Sequence, residues 1–269
     1  MDNLLTVFVT CLILGAVVGF LAGLLGIGGG LVIVPVLSVL LFKLDIVGEQ
    51  PAFMVAVATS LASIIFTCFS SALTHHRHDN VDWSLAAWVI VSVGLGAALS
   101  SFLSVHISVE MLKTLFAVTV SFVALRMVFT ASSDQGDQTL NPNKVVLVPV
   151  SMIIGSLSSL IGIGGGALIV PMLSQLRFNV KRAIGVGSVA GTCIAVVATI
   201  GYISIGWQQY ALADWFLGYI YLPALLGLII TSSIFAPIGA KLVHRLPVIV
   251  LKRLFAAFLF VVVLKMLLF

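Results

Sequence analysis

Charged residues are scarce in this 269-residue chain, because Asp, Glu, Lys and Arg together make up only 8% of it. A typical soluble domain carries about 25% charged residues, whereas 61% of this chain is hydrophobic. So few charges exclude a water-soluble globule and a disordered chain. The 13 basic residues are dispersed along the chain, which excludes a nucleic-acid-binding patch. The composition therefore predicts an integral membrane protein.

Paired cysteine motifs are also absent. The three cysteines, Cys11, Cys68 and Cys193, all lie in apolar stretches, and no Cys-x-x-Cys occurs. This pattern argues against a thiol–disulfide carrier and against a haem-attachment site. We expect the cysteines to act as small packing residues, and we expect no cofactor.

Acidic residues are missing from the middle of every long apolar segment. A buried proton relay based on carboxylates and a high-affinity divalent-cation cage are therefore unsupported. The apolar segments also lack a Ser–His or paired-Asp constellation. The sequence thus predicts a protein that is not an enzyme.

Long uncharged runs show where the chain crosses the bilayer. Residues 4–42 and 145–176 contain no charge, and each run exceeds the roughly 20 residues that one span needs. Each contains Gly-Ile-Gly-Gly-Gly, at residues 26–30 (the first glycine motif) and 162–166 (the second glycine motif). Glycine is disfavoured in helices by about 1 kcal/mol relative to alanine, so each motif predicts a helix break followed by a short helix. The remaining apolar segments, all expected to be helical, are 51–74, 83–105, 112–130, 183–213, 215–240 and 246–269.

The two halves of the chain resemble each other at nearly constant offsets. A shift of 136 positions aligns residues 19–35 with 155–171, and a shift of 139 aligns 112–117 with 251–256. Thr59-Ser60 and Gly187-Ser188 are a further, partial pair of counterparts. The chain is therefore predicted to be an all-α polytopic membrane protein with two homologous repeats of about five membrane helices each. The repeats comprise residues 1–130 and 145–269, and a polar linker at 131–144 joins them.

The relative orientation of the repeats depends on the short helix after each glycine motif. If this helix crosses the membrane, each half has five crossings, the second half is inverted, and 10 Lys and Arg residues face the cytoplasm against 3 outside. If it is re-entrant, each half has four crossings, the repeats are parallel, and the ratio is 9 to 4. The positive-inside rule favours the inverted arrangement, which is also common among transporters. Both arrangements place both termini outside the cytoplasm.

The glycine motifs are the main candidates for a binding site. A helix that starts directly after three glycines presents unpaired N–H groups and the positive end of its dipole, which suits an anion. The alternative is that these glycines only permit close helix packing. The predicted substrate-binding residues of the motifs are Gly28, Gly29, Gly30, Gly164, Gly165 and Gly166.

Hydroxyl groups at membrane depth are the second candidates. Thr59 and Ser60 in the first half, and Ser188 and Thr192 in the second, are predicted to donate hydrogen bonds to the oxygens of the substrate. The alternative is that these hydroxyls bond to their own helix backbone.

A basic cluster ends the third apolar segment at a membrane boundary. His75, His76 and Arg77 are candidates for gating, or for relaying protons or anions, near neutral pH. The alternative is a basic loop that only sets the topology. A metal site would need fixed helical spacing and a carboxylate or cysteine partner, and none is obvious, so we predict no metal site.

Several motifs resemble those of the TauE/SafE sulfite exporter family. They are the doubled Gly-Ile-Gly-Gly-Gly with a following proline and the segments 75–83, 218–224 and 233–247. The resemblance covers nearly the whole chain. It implies a multi-pass carrier in the bacterial inner membrane for sulfite, sulfonates or related small organosulfur anions. We therefore predict a secondary transporter, an exporter, that works by alternating access.

Two other kinds of function stay open at this point. An ion channel or divalent-cation carrier is disfavoured because the spans lack acidic residues. A membrane assembly or scaffold protein would not need paired helix breaks. The expected partners are a small organosulfur or sulfur oxyanion and the lipid bilayer, with no nucleic acid, and the sequence leaves a homodimer open.

Overall fold

Helices dominate the computed structural model, which describes residues 2–25, 28–129, 144–176, 178, 180–210, 212–242 and 260. The described helices of the first half are α1 (Asp2–Leu25), α2 (Gly30–Lys43), α3 (Glu49–Arg77), α4 (Trp83–Leu103) and α5 (Val109–Phe129). Those of the second half are α6 (Lys144–Ile161), α7 (Gly166–Gln175), α8 (Val180–Gly206) and α9 (Leu222–Leu242). The predicted linker, except Lys144, and the predicted last helix at 246–269, except Phe260, lie outside the described residues.

Five described helices are long and apolar enough to cross a membrane, in agreement with an all-α membrane protein. The spans are Asn3–Ala22, Pro51–Arg77, Trp83–His106, Lys144–Ile161 and Arg182–Gly206, the third of which continues from α4 through the 3₁₀ turn Ser104–His106. The spans within α3 and α8 are the two most buried of these. These two helices therefore form the centre of the bundle.

The prediction of helix throughout residues 183–213 and 215–240 is wrong in part. Helix α8 ends at Gly206 and α9 starts only at Leu222. Between them lie a 3₁₀ turn, Leu212–Asp214, and a hairpin of strands β1 (Phe216–Leu217) and β2 (Ile220–Tyr221). Gly218 turns the hairpin with a φ of +59°, which favours glycine. The backbone groups of this apolar run are thus satisfied by strand pairing instead of by a helix.

The bundle has two ends, which we name by the residues found there. At the near end, where α1 begins, the Asn3 side-chain amide donates a hydrogen bond of 3.0 Å to the carbonyl of Leu44, directly after α2. Lys113 and Glu49 also form an ion pair there, with 3.3 Å between Nζ and Oε1. At the far end, His78 follows the last residue of α3.

The first helix of each half packs on the fourth helix of the other half. Helix α1 packs on α9, and α6 packs on α4. Gly19 of α1 lies directly against the backbone of Ser232, and Gly155 of α6 lies directly against the backbone of Val93. The absence of side chains at both glycines allows these helix backbones to approach closely.

Candidate functional site

The two glycine motifs contact each other inside the bundle. A Cβ atom built on Gly28 would lie 3.5 Å from the Cα of Gly164, and one on Gly164 would lie 3.6 Å from the Cα of Gly28. Gly28 has a φ of +66°, a left-handed conformation that side chains other than glycine rarely adopt. Candidate residues 136 positions apart in the chain therefore lie in contact.

The thiol of Cys68, on α3, lies at this contact. Its Sγ would be 3.8 Å from a Cβ on Gly28, 3.6 Å from one on Gly164 and 3.1 Å from one on Gly191 of α8. Cys68 is buried. The sequence predicts only a packing role for this cysteine, because nothing in its local context shows what it contacts.

Three of the predicted glycines are positions of close packing. A Cβ on Gly29 would overlap the side chain of Val18, and one on Gly30 would overlap the carbonyl oxygen of Gly162. One on Gly165 would lie 2.7 Å from an isoleucine methyl of α8. The packing alternative therefore fits these three glycines, whereas an added Cβ atom at Gly28 or Gly164 would have ordinary contact distances.

Both short helices begin at the glycine motifs. Gly29 is the N-cap residue of α2 and Gly165 is that of α7, and neither provides a side-chain hydrogen bond to the N–H groups of its helix. The first N–H groups of a helix have no acceptor within the helix. Among the described residues, the N–H groups of Gly164, Gly165 and Gly166 have no acceptor. The positive ends of two helix dipoles therefore lie near the contact between the motifs, an arrangement that suits an anion.

The two predicted hydroxyls of α3 are fully buried and bind to other parts of the fold. Thr59 Oγ1 accepts a hydrogen bond of 3.1 Å from the N–H of Tyr221 in the hairpin. Ser60 Oγ donates one of 3.0 Å to the carbonyl of Gly162 in the second glycine motif. Ser60 therefore lies at the motifs, and its hydroxyl hydrogen is already used there.

The two predicted hydroxyls of α8 bond to their own helix. Ser188 Oγ lies 2.9 Å from the carbonyl of Ile184 and 3.0 Å from the Oγ of Ser71 on α3. Thr192 Oγ1 donates a bond of 2.9 Å to the carbonyl of Ser188. Thr192 also lines a mostly apolar groove of about 460 Å³ between α3, α4 and α8.

The predicted basic cluster lies at the far end and away from the glycine motifs. Arg77 follows Cys68 by nine residues on α3, which is about 14 Å along the helix. The rings of His76 and Trp83 meet edge to face with centroids 5.4 Å apart, and the carbonyl of His75 accepts a bond of 3.0 Å within the turn. No cluster of three metal-ligating side chains occurs in the part of the chain that the structure describes.

An aromatic cluster at the near end is not predicted from the sequence. Tyr210 stacks on Phe216 with centroids 4.8 Å apart, and Phe216 lies 4.8 Å from the ring of Tyr221. Tyr219 meets Tyr202 edge to face at 6.4 Å. The sequence feature that could have predicted this cluster is the density of aromatic residues between positions 210 and 221.

Polar groups tie this aromatic cluster to the helices. The hydroxyl of Tyr202 donates a bond of 3.3 Å to the carbonyl of Ser159 on α6, and the hydroxyl of Tyr219 bonds to the side chain of Gln209. Burial raises the pKa of Tyr210 and Tyr219, so both phenols stay neutral at physiological pH. The cluster and the hairpin thus pack against α3, α6 and α8 on the near-end side of the bundle.

Comparison with known proteins gives consistent matches over most of the chain. The family model described as "Sulfite exporter TauE/SafE" matches residues 11–266. A "probable membrane transporter protein" of Haemophilus influenzae is 38% identical over 262 residues, which cover 97% of this chain and 98% of that protein. A protein of the same description from Methanocaldococcus jannaschii is 28% identical over 239 residues, covering 87% of this chain and 86% of its own. No solved structure matches the chain.

Proposed function

Because the chain belongs to the TauE/SafE sulfite exporter family and is a multi-pass membrane transporter, we propose that it exports sulfite, sulfonates or related small organosulfur anions. In this proposal it is a secondary transporter of the bacterial inner membrane that works by alternating access. The observation that carries the proposal is the contact between Gly28 and Gly164, which joins the starts of two helices from opposite halves.

The charge at this contact favours an anion. Each helix N-terminus carries roughly half a positive charge, which would repel a cation. The candidate glycines contribute backbone N–H groups, and the nearby hydroxyls of Thr59 and Ser60 are fully buried. With no Lys or Arg among the candidate residues at the motifs, nothing there fully offsets the desolvation of the anion. We therefore expect affinity near 1 mM, which corresponds to about 4 kcal/mol.

The proposal includes an inverted repeat with five crossings in each half. The bond between Asn3 and Leu44 supports it, because this bond brings the end of α2 back to the near end where α1 begins. A re-entrant α2 would instead leave Leu44 on the opposite side of the membrane from Asn3. The short helix is therefore proposed to complete a crossing.

The exchange of packing partners supports the same arrangement. The offset of 136 relates Gly19 to Gly155, and the offset of 139 relates Val93 to Ser232. The contact of Gly19 with Ser232 thus has its counterpart in the contact of Gly155 with Val93. Such reciprocal contacts are expected of two halves related by a two-fold axis.

The direction of the two central helices supports inversion. Ser71 bonds to Ser188, and Cys68, which precedes Ser71, contacts Gly191, which follows Ser188. Helices α3 and α8 therefore run antiparallel to each other. Since they occupy the same place in the two repeats, the second repeat is proposed to be inverted relative to the first.

Basic residues support a cytoplasmic far end. Arg77 and Lys144 lie at this end, the latter over the ring of Trp88 near the start of α4. The near end has Lys43 at the end of α2 and Lys113 in the ion pair. By the positive-inside rule, the far end is proposed to face the cytoplasm and both termini to lie outside.

The two halves of α3 differ in exposure, which supports a state open toward the cytoplasm. Thr59 and Ser60, in the near-end half, are fully buried. Ser70 and Thr74, in the far-end half, are exposed, and Ser71 is half-buried. Since Phe66, Phe69 and Leu73 share this exposed stretch, the proposal is limited to an opening at the far end, on the opposite side of the motifs from the hairpin.

Uptake into proteoliposomes tests the proposed function. We expect the purified protein to move sulfite, sulfoacetate to compete with sulfite, and Ni²⁺ and Co²⁺ not to be moved. Vesicles without the protein are the control. Transport of the cations together with indifference to every sulfur oxyanion would contradict the proposal and favour the divalent-cation carrier.

A further inference from the structure

Three buried hydroxyls in the described part of the chain have no hydrogen-bond partner. They belong to Ser151 and Ser158 on α6 and to Thr199 on α8. Thr199 is only 7% exposed. A buried hydroxyl without a partner costs free energy, which points to a role other than stabilising the fold, such as binding a ligand.

The packing register of α3 and α8 shows what Thr199 faces. The Oγ atoms of Ser71 and Ser188 are 3.0 Å apart. About one turn nearer to the near end, the Sγ of Cys68 lies 3.1 Å from the Cβ position of Gly191. Toward the near end, residue numbers therefore fall along α3 by the same amount as they rise along α8 in successive contacting pairs.

This register continues past the glycine motifs to Thr199. Ile64 of α3 and Ala195 of α8 are the next pair, and both belong to one buried cluster. Continued by one more turn, the same spacing pairs Thr199 with Ser60, whose hydroxyl is bonded to the carbonyl of Gly162. On this register the hydroxyl of Thr199, which has no partner among the described residues, falls on the near-end side of the second glycine motif.

The repeat relates this position to a hydroxyl pair on the other side of the motifs. The offset that aligns Ser60 with Ser188 also aligns Ser71 with Thr199. Ser71 and Ser188 bond to each other, whereas Ser60 bonds to the motif and Thr199 has no partner in the described residues. Of the two related pairs, only the one at Thr199 has a hydroxyl hydrogen free for a ligand.

We propose that Thr199 is a substrate-binding residue, whose hydroxyl donates a hydrogen bond to an oxygen of the anion between the glycine motifs and the near end. This inference rests on the proposed function. A sulfur oxyanion has several acceptor oxygens, which lose hydrogen bonds to water when the anion is bound. A buried hydroxyl donor replaces one of these bonds. A cation would instead be repelled by the helix N-termini at the motifs.

Sulfite transport by three variants in proteoliposomes tests this role. Thr199→Val keeps the shape of the side chain and removes the donor, so we expect the KM for sulfite to rise about tenfold. Its melting temperature should stay the same or rise, because a methyl group replaces an unpaired hydroxyl. Thr199→Ser should keep the KM near that of the wild type. Ser151→Ala is the matched control, since it removes an equally unpaired hydroxyl about 15 Å along α6 from Ile161 and should leave the KM unchanged.

The outcomes separate this inference from the proposed function. If the wild type moves sulfite and Thr199→Val has the same KM, the role of Thr199 is refuted and the proposed function stands. A lower melting temperature with a proportionate loss of kcat and no change in KM would assign Thr199 a structural role and also refute the inference. If the wild type moves no sulfur oxyanion, the proposed function fails and this inference fails with it.

Discussion

Single glycines decide how closely the two halves of the protein approach each other. Gly164 is the most informative of them, because it lies in the contact between the motifs and has no left-handed φ. An added methyl group there would be 3.4 Å from Ile64 and 3.6 Å from Cys68, which are ordinary contact distances. A substitution at Gly29 or Gly30 would instead collide with the fold itself.

Gly164→Ala should therefore impair transport without unfolding the protein. The methyl group narrows the space between the motifs where the anion is proposed to bind. We expect the rate of sulfite uptake below saturation to fall about tenfold, or about 1.4 kcal/mol, with an unchanged melting temperature. Uptake into proteoliposomes and thermal unfolding in detergent measure the two effects.

Gly48→Ala is the matched control for this substitution. Gly48 is exposed before α3, and the nearest atom to an added Cβ is 3.8 Å away, on Pro51. This variant should transport sulfite like the wild type. Normal uptake by Gly164→Ala would show that the motifs serve only to pack the helices.

At the scale of secondary structure, the hairpin of β1 and β2 closes the near end by a small number of bonds. The N–H of Tyr221 donates to Thr59 Oγ1 on α3, and the N–H of Tyr219 lies 3.4 Å from the carbonyl of Tyr202 on α8. Tyr221 is only 4% exposed, so water cannot readily replace the oxygen of Thr59. In the described part of the chain, the hydrogen bond from the hairpin to a side chain of α3 is thus made by one threonine.

Thr59→Val should destabilise the protein by about 1–3 kcal/mol, because it leaves the buried N–H of Tyr221 without an acceptor. Thr59→Ser retains the oxygen and should lose less. Denaturant titration of the purified protein in detergent gives the free energies of unfolding.

Thr114→Val is the corresponding control on α5. The hydroxyl of Thr114 is exposed and bonds to the carbonyl of Glu110 in its own helix. Its loss should change the free energy of unfolding by no more than about 0.5 kcal/mol. Equal effects of the two valine substitutions would contradict the role given to the bond between Thr59 and Tyr221.

At the scale of the whole molecule, the inverted arrangement has a direct consequence for the two loops that flank α3. The exposed Lys43 precedes this helix at the near end, and the exposed His78 follows it at the far end. In the inverted arrangement Lys43 is outside and His78 is cytoplasmic. The parallel arrangement with re-entrant helices exchanges the two locations.

Single cysteines distinguish these arrangements. We expect Lys43→Cys to react with a membrane-impermeant maleimide in intact spheroplasts, and His78→Cys to react only after lysis. Both variants are made in a protein that lacks Cys11, Cys68 and Cys193. The reverse pattern would overturn the inverted repeat in favour of the re-entrant arrangement.

Much of the architecture follows from local properties of the chain, which explains where prediction succeeds. Hydropathy and span length place the described helices from α1 to α7, and the start of α8, within a few residues, but they misplace the end of α8. The same properties misplace the start of α9, because an apolar run at the end of a bundle can satisfy its backbone as a hairpin as well as a helix. The repeat orientation, the linker and the last helix stay predictions.

The sequence by itself determined the class of the protein, its helical segments and the two glycine motifs, because charge, hydropathy and helix propensity act over a few neighbouring residues. The tertiary structure alone decided which candidates meet. It brings Gly28 to Gly164, uses Gly29 and Gly30 for packing, turns Thr59 toward the hairpin and leaves Thr199 without a partner among the described residues. These outcomes depend on contacts between helices that are distant in the chain, and no local pattern encodes them.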